Sequence, residues 1–371
     1  MLVPLRDAVS RTCGGKAGTL GVLLRAGLPV PDGFVVPLDA DRATDLDLRD
    51  ALDELGGPVA VRSSADDEDT GRASAAGQYE SVLGVQGAER VADAVRTCWA
   101  SLHSPRAVAY RGATDQQPRI GVLVQRHLDA EVAGVMFTPS GPAGVTTIEA
   151  SWGLGPSVVG GTVTPDAYRV HADGSVTYTV ADKVRRIDRR GTHLVTSEVP
   201  EPDRRRPTLD DATAERLAGL GRRIAGVLGG AQDVEWAVVD GDLWVLQARP
   251  TTADLPVRRS STVSGTTLVG TPCSRGTATG TARVDRGPDD FARDRPGDIL
   301  VCPWTDPSWT PLLHLAAGVV TETGGILSHA AIVARERRIP AVLGIADATR
   351  TLRDSTTITI DGTAGTVTTH A

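Results

Sequence analysis

Thr321-Glu-Thr-Gly-Gly-Ile-Leu-Ser-His329-Ala-Ala-Ile-Val-Ala-Arg-Glu-Arg-Arg-Ile-Pro-Ala-Val-Leu-Gly344 is the stretch on which the reading of this chain turns. The paired glycines Gly324 and Gly325 let the backbone turn tightly. Ser328-His329 then opens a run, Ala330 to Arg338, that predicts a helix ending before Pro340. A histidine at a helix N-terminus sits beside unpaired amide N–H groups and the positive end of the helix dipole, where phosphate is held well. An imidazole, with its ordinary pKa near neutrality, is also a competent nucleophile there. The pattern points to His329 as a phosphoryl carrier; the plain alternative is a capping or core histidine.

The 371 residues suggest two or three domains, and 40% apolar content is ample for buried cores. A net charge of −7 argues against nucleic acid or an anionic membrane as the main partner. Cys13, Cys98, Cys273 and Cys302 are scattered, with no C-x-x-C pair and no adjoining histidines. They read as reduced thiols of a cytoplasmic protein, neither a disulfide framework nor a zinc site. The first residues carry no basic leader followed by an apolar stretch, and no apolar run approaches the ~20 residues of a membrane helix. Of 39 basic residues only Lys16 and Lys183 are lysine. In so arginine-rich a chain a lysine suggests a need for a compact ammonium instead of a planar fork.

Working outward from the histidine run, residues 266–371 read as a compact α/β unit with Gly-bounded strands, closed by Thr356-Ile-Thr-Ile-Asp-Gly362 and Gly365-Thr-Val-Thr. The polar, aperiodic stretch before it, 253–265, reads as a linker. Residues 1–252 alternate helical and strand patterns. Helices are expected over Lys16 to Arg25, Arg90 to Tyr110 and Thr213 to Leu228, and short strands at Val59 to Ser63 and Gly121 to Gln125. Asp233 to Val239 and Leu243 to Gln247 alternate around Asp240-Gly-Asp242, a hairpin signal.

The histidine run resembles the phosphohistidine segment of the pyruvate phosphate dikinase and phosphoenolpyruvate synthase family. Segments of the first region resemble, in order, that family's N-terminal nucleotide-binding domain. These are Cys13-Gly-Gly-Lys16-Ala-Gly-Thr-Leu-Gly21, Leu28-Pro-Val-Pro-Asp-Gly-Phe-Val-Val36, Val59-Ala-Val-Arg62-Ser-Ser, Ala75-Ala-Gly77-Gln78-Tyr-Glu80, and Asp233-Val-Glu235-Trp-Ala with Leu246-Gln247-Ala-Arg249-Pro250. Trp152-Gly-Leu-Gly155 and its neighbours continue the likeness over nearly the whole chain. The resemblance implies an ATP-grasp nucleotide-binding domain followed by a small swivelling α/β phosphohistidine domain, with ATP and Mg2+ as cofactors. It implies ATP contacts at Lys16, Arg62, Gly77, Gln78, Gln125, Glu235, Gln247 and Arg249. Lys183 matches a lysine that follows the family's Pro-Asp element, here Pro165-Asp166, and takes no assigned role.

The chemistry supports those roles independently. A triphosphate carries about four negative charges that must be neutralised before a nucleophile approaches. Lys16 supplies a point charge beside glycines, and Arg62 a fork for two oxygens. Glu235 and Gln247 offer hard oxygen ligands for magnesium on neighbouring strands. Arg249 is placed to stabilise charge on the transferring group, and strand alternation puts it on the face of Gln247, as it puts Asp233 on the face of Glu235. Asp66 to Asp69 reads as a solvated acidic loop.

The leading expectation is an ATP-dependent phosphotransferase: His329 takes the β-phosphate of ATP, AMP leaves, and a small-molecule acceptor receives the phosphoryl group. An alternative is a half-enzyme whose acceptor site lies on a separate partner polypeptide. A third is an ATP-grasp ligase making an acyl phosphate, against which the Gly-Gly-x-x-Ser-His329 run speaks. The stretch from Pro250 to Ala371 lacks the ~200 residues of a (β/α)8 barrel, so the acceptor stays unassigned.

Overall fold

Asp240 and Gly241 both adopt positive φ, 51° and 78°, as a two-residue hairpin turn of the primed type requires. The turn joins strands Gln232–Val239 and Asp242–Pro250, with Val239 opposite Asp242. The computed structural model describes residues 1–41, 47–66, 79–104, 107–108, 118–139, 141, 144–251, 267–293 and 295–370. Gly77, Gln78, Asp67 to Asp69 and the expected linker 253–265 lie outside the described residues.

The hairpin forms one edge of a six-stranded antiparallel sheet ordered 242–250, 232–239, 132–137, 146–152, 166–170 and 176–179. A second sheet of five strands runs 3–4, 33–36, 120–126, 59–65 and 81–85. Helix Asp211–Leu228 packs its buried face, including Leu217, Leu220 and Ile224, into the larger core. Asp210 caps it, its side chain accepting from the Thr213 amide at 2.8 Å. The expected helix over 90–110 is shorter, Ala88–Ala100, followed by a 3-10 turn at Ser101–His103. Ser104 is already extended, as a residue preceding proline prefers.

These strands belong to one compact unit, residues 1–155, 166–180 and 185–252. The second unit holds 253–371 together with two pieces from far upstream, Pro156–Pro165 and Ala181–Val184. A single division near residue 252, as the sequence suggests, therefore misses a strap that the chain contributes to the histidine-bearing unit. The physical reason is local. Thr323 Oγ1 donates to the Gly161 carbonyl at 2.6 Å, and the Gly324 amide to the Val163 carbonyl at 3.2 Å.

The second unit is built on an eight-stranded sheet ordered 267–269, 366–369, 357–361, 277–284, 299–302, 318–321, 341–343 and 271–274. Its centre is parallel, from 277–284 through 299–302 and 318–321 to 341–343. Strands 299–302, 318–321 and 341–343 are short, largely apolar runs buried along their whole length, as parallel strands covered on both faces are. The expected helix is His329–Arg337, stopped by Arg338 in a left-handed conformation two residues before Pro340. Among the described residues, no helix is long and apolar enough to cross a membrane.

Candidate functional site

In the first unit, chemistry gathers where strand Val59–Ala65 meets the hairpin. Arg62 reaches across with both arms of its fork. Nη1 donates to the Leu246 carbonyl at 2.5 Å, and Nη2 to Gln247 Oε1 at 2.7 Å and Glu235 Oε2 at 3.3 Å. The Leu246 carbonyl is within reach because the hairpin register slips there: Glu235 pairs with Gln247, but Trp236 pairs with Val245. Such a bulge leaves a residue outside the ladder, and Arg62 uses its carbonyl. The two oxygens expected to hold magnesium therefore converge on one cationic atom. A carboxylate and an amide oxygen are the kind of hard donors a divalent cation takes, so in chemistry Glu235 and Gln247 fit the group.

Lys16 lies at the start of helix Gly15–Arg25 and is 6% exposed, its ammonium donating to the Ser63 carbonyl at 2.9 Å. The neighbouring Ala17 amide donates to Ser64 Oγ at 3.0 Å. Gly14 makes this approach possible: its φ is 84°, and a Cβ there would stand 2.0 Å from the Ser64 carbonyl oxygen. Lys16 and Arg62 are thus brought to consecutive residues of one strand. Arg249 is opposite Asp233 and bonded to its Oδ2 through Nε at 2.9 Å and Nη2 at 2.8 Å. Its fork is therefore engaged by a carboxylate that the sequence reading placed on a strand face without giving it a partner. Gln125 is buried, and its amide donates to the Pro31 carbonyl at 2.7 Å.

In the second unit, His329 is the first residue of its helix and is 4% exposed. Ser328, the preceding cap, turns its hydroxyl back to the Gly325 carbonyl at 2.9 Å and closes the glycine turn. Gly161 of the strap, at φ 67°, packs against this turn, where a Cβ would lie 3.1 Å from the Ser328 Cβ. The imidazole is held at both nitrogens: Thr305 Oγ1 is 2.9 Å from Nδ1, and Thr310 Oγ1 is 3.3 Å from Nε2. Both hydroxyls are buried. The turn between them is fixed by Asp306, which accepts from the Ser308 amide at 2.8 Å, and by buried Trp309, edge-on to Phe291 at 4.7 Å.

The sequence reading passed over both threonines. A topological signal was available, since Thr305 follows strand Ile299–Cys302 and His329 follows its parallel neighbour Gly318–Thr321. Both come from the carboxyl ends of adjacent parallel strands, where α/β sheets gather their functional groups. Lys183 is wholly buried in this same unit, its ammonium donating to the Ala181 carbonyl at 3.1 Å.

Comparison with known proteins gives these two centres a common setting. Residues 42–262 match the AMP/ATP-binding domain of pyruvate phosphate dikinase, and residues 294–365 match the mobile domain of PEP-utilising enzymes. The chain belongs to the pyruvate phosphate dikinase and phosphoenolpyruvate synthase family. Lys16 precedes the first matched stretch, while Arg62, Gln125, Glu235, Gln247 and Arg249 lie in it and His329 lies in the second.

A probable phosphoenolpyruvate synthase of Methanothermobacter thermautotrophicus is 38% identical, over 95% of this chain and 61% of that protein. A probable phosphoenolpyruvate synthase of Archaeoglobus fulgidus is 35% identical, over 95% of this chain and 56% of that protein. The phosphoenolpyruvate synthase of Pyrococcus furiosus is 37% identical, over 83% of this chain and 40% of that protein. This family member spans between 40% and 61% of the length of these relatives. The mixed α/β fold expected from the resemblance is the one observed.

Proposed function

We propose that this protein is an ATP-dependent phosphotransferase in which His329 carries the β-phosphoryl group of ATP to a small-molecule acceptor. The observation that carries the reading is the imidazole itself, set at a helix N-terminus with both nitrogens oriented by hydroxyls. A neutral imidazole needs one donor and one lone pair. In the tautomer whose Nδ1–H donates to Thr305, Nε2 keeps the lone pair and is the nucleophile.

Attack forms an Nε2–Pβ bond and breaks the bond from Pβ to the oxygen bridging the α-phosphate, which leaves on AMP. Water then takes the terminal phosphate as inorganic phosphate, and His329 keeps the β-phosphoryl group. Lys16 and Arg62 bind the triphosphate. Arg249, held by Asp233, keeps its charge fixed at the end of the same strand. Glu235 and Gln247 hold Mg2+, which when bound neutralises phosphate charge.

On this reading the first unit serves the nucleotide and the second, its upstream strap included, serves as the carrier. The printed names of the relatives support the pyruvate–phosphoenolpyruvate pair as the acceptor couple. The test is ATP labelled at the β position. His329 should take the label with release of AMP, and His329→Ala should abolish labelling while ATP binding persists. Undiminished labelling of His329→Ala refutes the assignment.

A further inference from the structure

Thr310 presents a problem that the phosphoryl-carrier reading does not answer. Its hydroxyl, itself 2% exposed, is 3.3 Å from Nε2, the atom that must attack phosphorus. A hydroxyl can donate to a lone pair or accept from an N–H. In the tautomer that carries its proton on Nδ1, Thr305 accepts from Nδ1–H, and Thr310 is the donor that covers the Nε2 lone pair. Two side chains five residues apart thus treat the ring differently. Thr305 orients it at 2.9 Å, and Thr310 occupies its reactive atom through the longer, weaker contact.

Thr310 is delivered there by the same turn that delivers Thr305. It opens the short helix Thr310–Leu313, directly after the 3-10 turn Pro307–Trp309, and its neighbour Trp309 is buried. The backbone of that turn keeps Thr310 beside His329, while its hydroxyl can turn aside about the Cα–Cβ bond and rotate about the C–O bond. Once Nε2 carries a phosphoryl group, the same O–H faces the phosphoryl oxygens.

We propose that Thr310 is a positioning residue with two successive partners: it masks the Nε2 lone pair of resting His329 and then donates to the phosphoryl group of phosphohistidine, prolonging its life. This rests on the phosphoryl-carrier reading of His329. The step balances without a further reagent. The Nε2 lone pair goes to phosphorus, the Pβ–O electron pair leaves with AMP, and Nδ1 keeps its proton toward Thr305 until solvent removes it. Thr310 gains and loses no atom; its proton exchanges one acceptor for another. Breakdown of a phosphohistidine draws charge away from the phosphoryl oxygens, so a donor to those oxygens favours the intact state over the breaking one.

The experiment uses the full chain, labelled with 15N in its histidines, as wild type, Thr310→Val and Thr310→Ser. Valine matches threonine in shape and removes only the hydroxyl; serine restores the hydroxyl. In the nucleotide-free protein, Thr310→Val should shift the Nε2 resonance as loss of a donor to that nitrogen does, and leave Nδ1 in place. After labelling from β-labelled ATP and removal of nucleotide, Thr310→Val should lose its phosphate about tenfold faster than wild type, the effect of one hydrogen bond to a charged group. Thr310→Ser should resemble wild type in both measurements.

Unchanged Nε2 resonance and unchanged label lifetime in Thr310→Val overturn the proposal. A shifted resonance with unchanged lifetime overturns its second half. If wild type takes no label at His329, the phosphotransfer reading falls, and the nitrogen resonances still decide whether Thr310 covers Nε2.

Discussion

Replacing Arg62 by methionine tests whether one guanidinium clips the hairpin to the neighbouring sheet of the first unit. Three contacts go at once: to the Leu246 carbonyl at 2.5 Å, to Gln247 Oε1 at 2.7 Å and to Glu235 Oε2 at 3.3 Å. They differ in worth. The Glu235 side chain is 28% exposed and regains water, so losing that ion pair costs under about 1 kcal/mol. Gln247 is 8% exposed, and the bulge carbonyl of Leu246 lies outside the ladder; the hydrogen bonds lost there cost about 1–3 kcal/mol. Because one side chain makes all three bonds, the losses are not additive, and about 3 kcal/mol is the expected total. Native-state hydrogen exchange at the amides of strands Gln232–Val239 and Asp242–Pro250 reads this directly, without assuming that the two units unfold together. Protection in Arg62→Met should fall by roughly two decades, and Arg62→Lys, which keeps the charge but not the fork, should recover only part of it. Protection within threefold of wild type in the methionine variant would show that the hairpin is held by its own ladder, and the clip would be discarded.

Two further outcomes can be measured on simple variants. Thr305→Val leaves Nδ1 of buried His329 without its 2.9 Å partner, so ring orientation should loosen and the rate of labelling from β-labelled ATP fall by one to two decades; a wild-type rate rules out an orienting role. His127 is buried and its pKa is lowered, first by desolvation, then by Arg189, against an opposing pull from Asp129, whose Oδ1 lies 3.4 Å from Nε2. Because its folded pKa is below the ordinary histidine value of 6.5, the unfolded chain takes up the proton first as pH falls. Its contribution is therefore complete above 6.5 and lost below it as pH passes through the folded value, so His127→Gln should flatten the decline of the urea midpoint between about pH 7.5 and 5; an equal decline in both proteins removes His127 as the cause.

What could be read from the sequence was local chemistry; what could not was return in space. The Asp240-Gly241 turn, the Gly-Gly turn before His329 and the stop at Pro340 each follow from the dihedral limits of a few neighbouring residues, and each forms where expected. The bulge at Glu235 and Trp236 depends on the register of a partner strand, which no stretch of one strand encodes. The strap at Pro156–Pro165 reads as a glycine-containing loop between two strands. Its attachment to the glycine turn becomes visible only when Gly161 and Val163 offer carbonyls to Thr323 and Gly324. The residue types for nucleotide chemistry were legible because Lys, Arg and Glu are conspicuous beside glycines and on alternating strands. Thr305 and Thr310 were not, because a threonine in a proline-rich turn is ordinary until it faces a histidine nitrogen.

The two centres also differ in the kind of group that holds them, and the difference suits their proposed tasks. In the first unit, oxygens are held by cations: Glu235 and Gln247 by Arg62, and Asp233 by Arg249. A polyphosphate and its metal enter such a place by exchange, each new charge taking over a partner from an existing pair, so little charge is left unpaired in the process. In the second unit, the groups on the two ring nitrogens of His329 are hydroxyls. A carrier must accept a phosphoryl group from one molecule and surrender it to another, and it works best when the loaded state is neither much more nor much less stable than donor and acceptor. Cations fixed on both sides of the ring would deepen the loaded state through strong charge-assisted bonds. Neutral hydroxyls, which can donate or accept, orient the ring and stabilise the load by less, which keeps the transfer reversible.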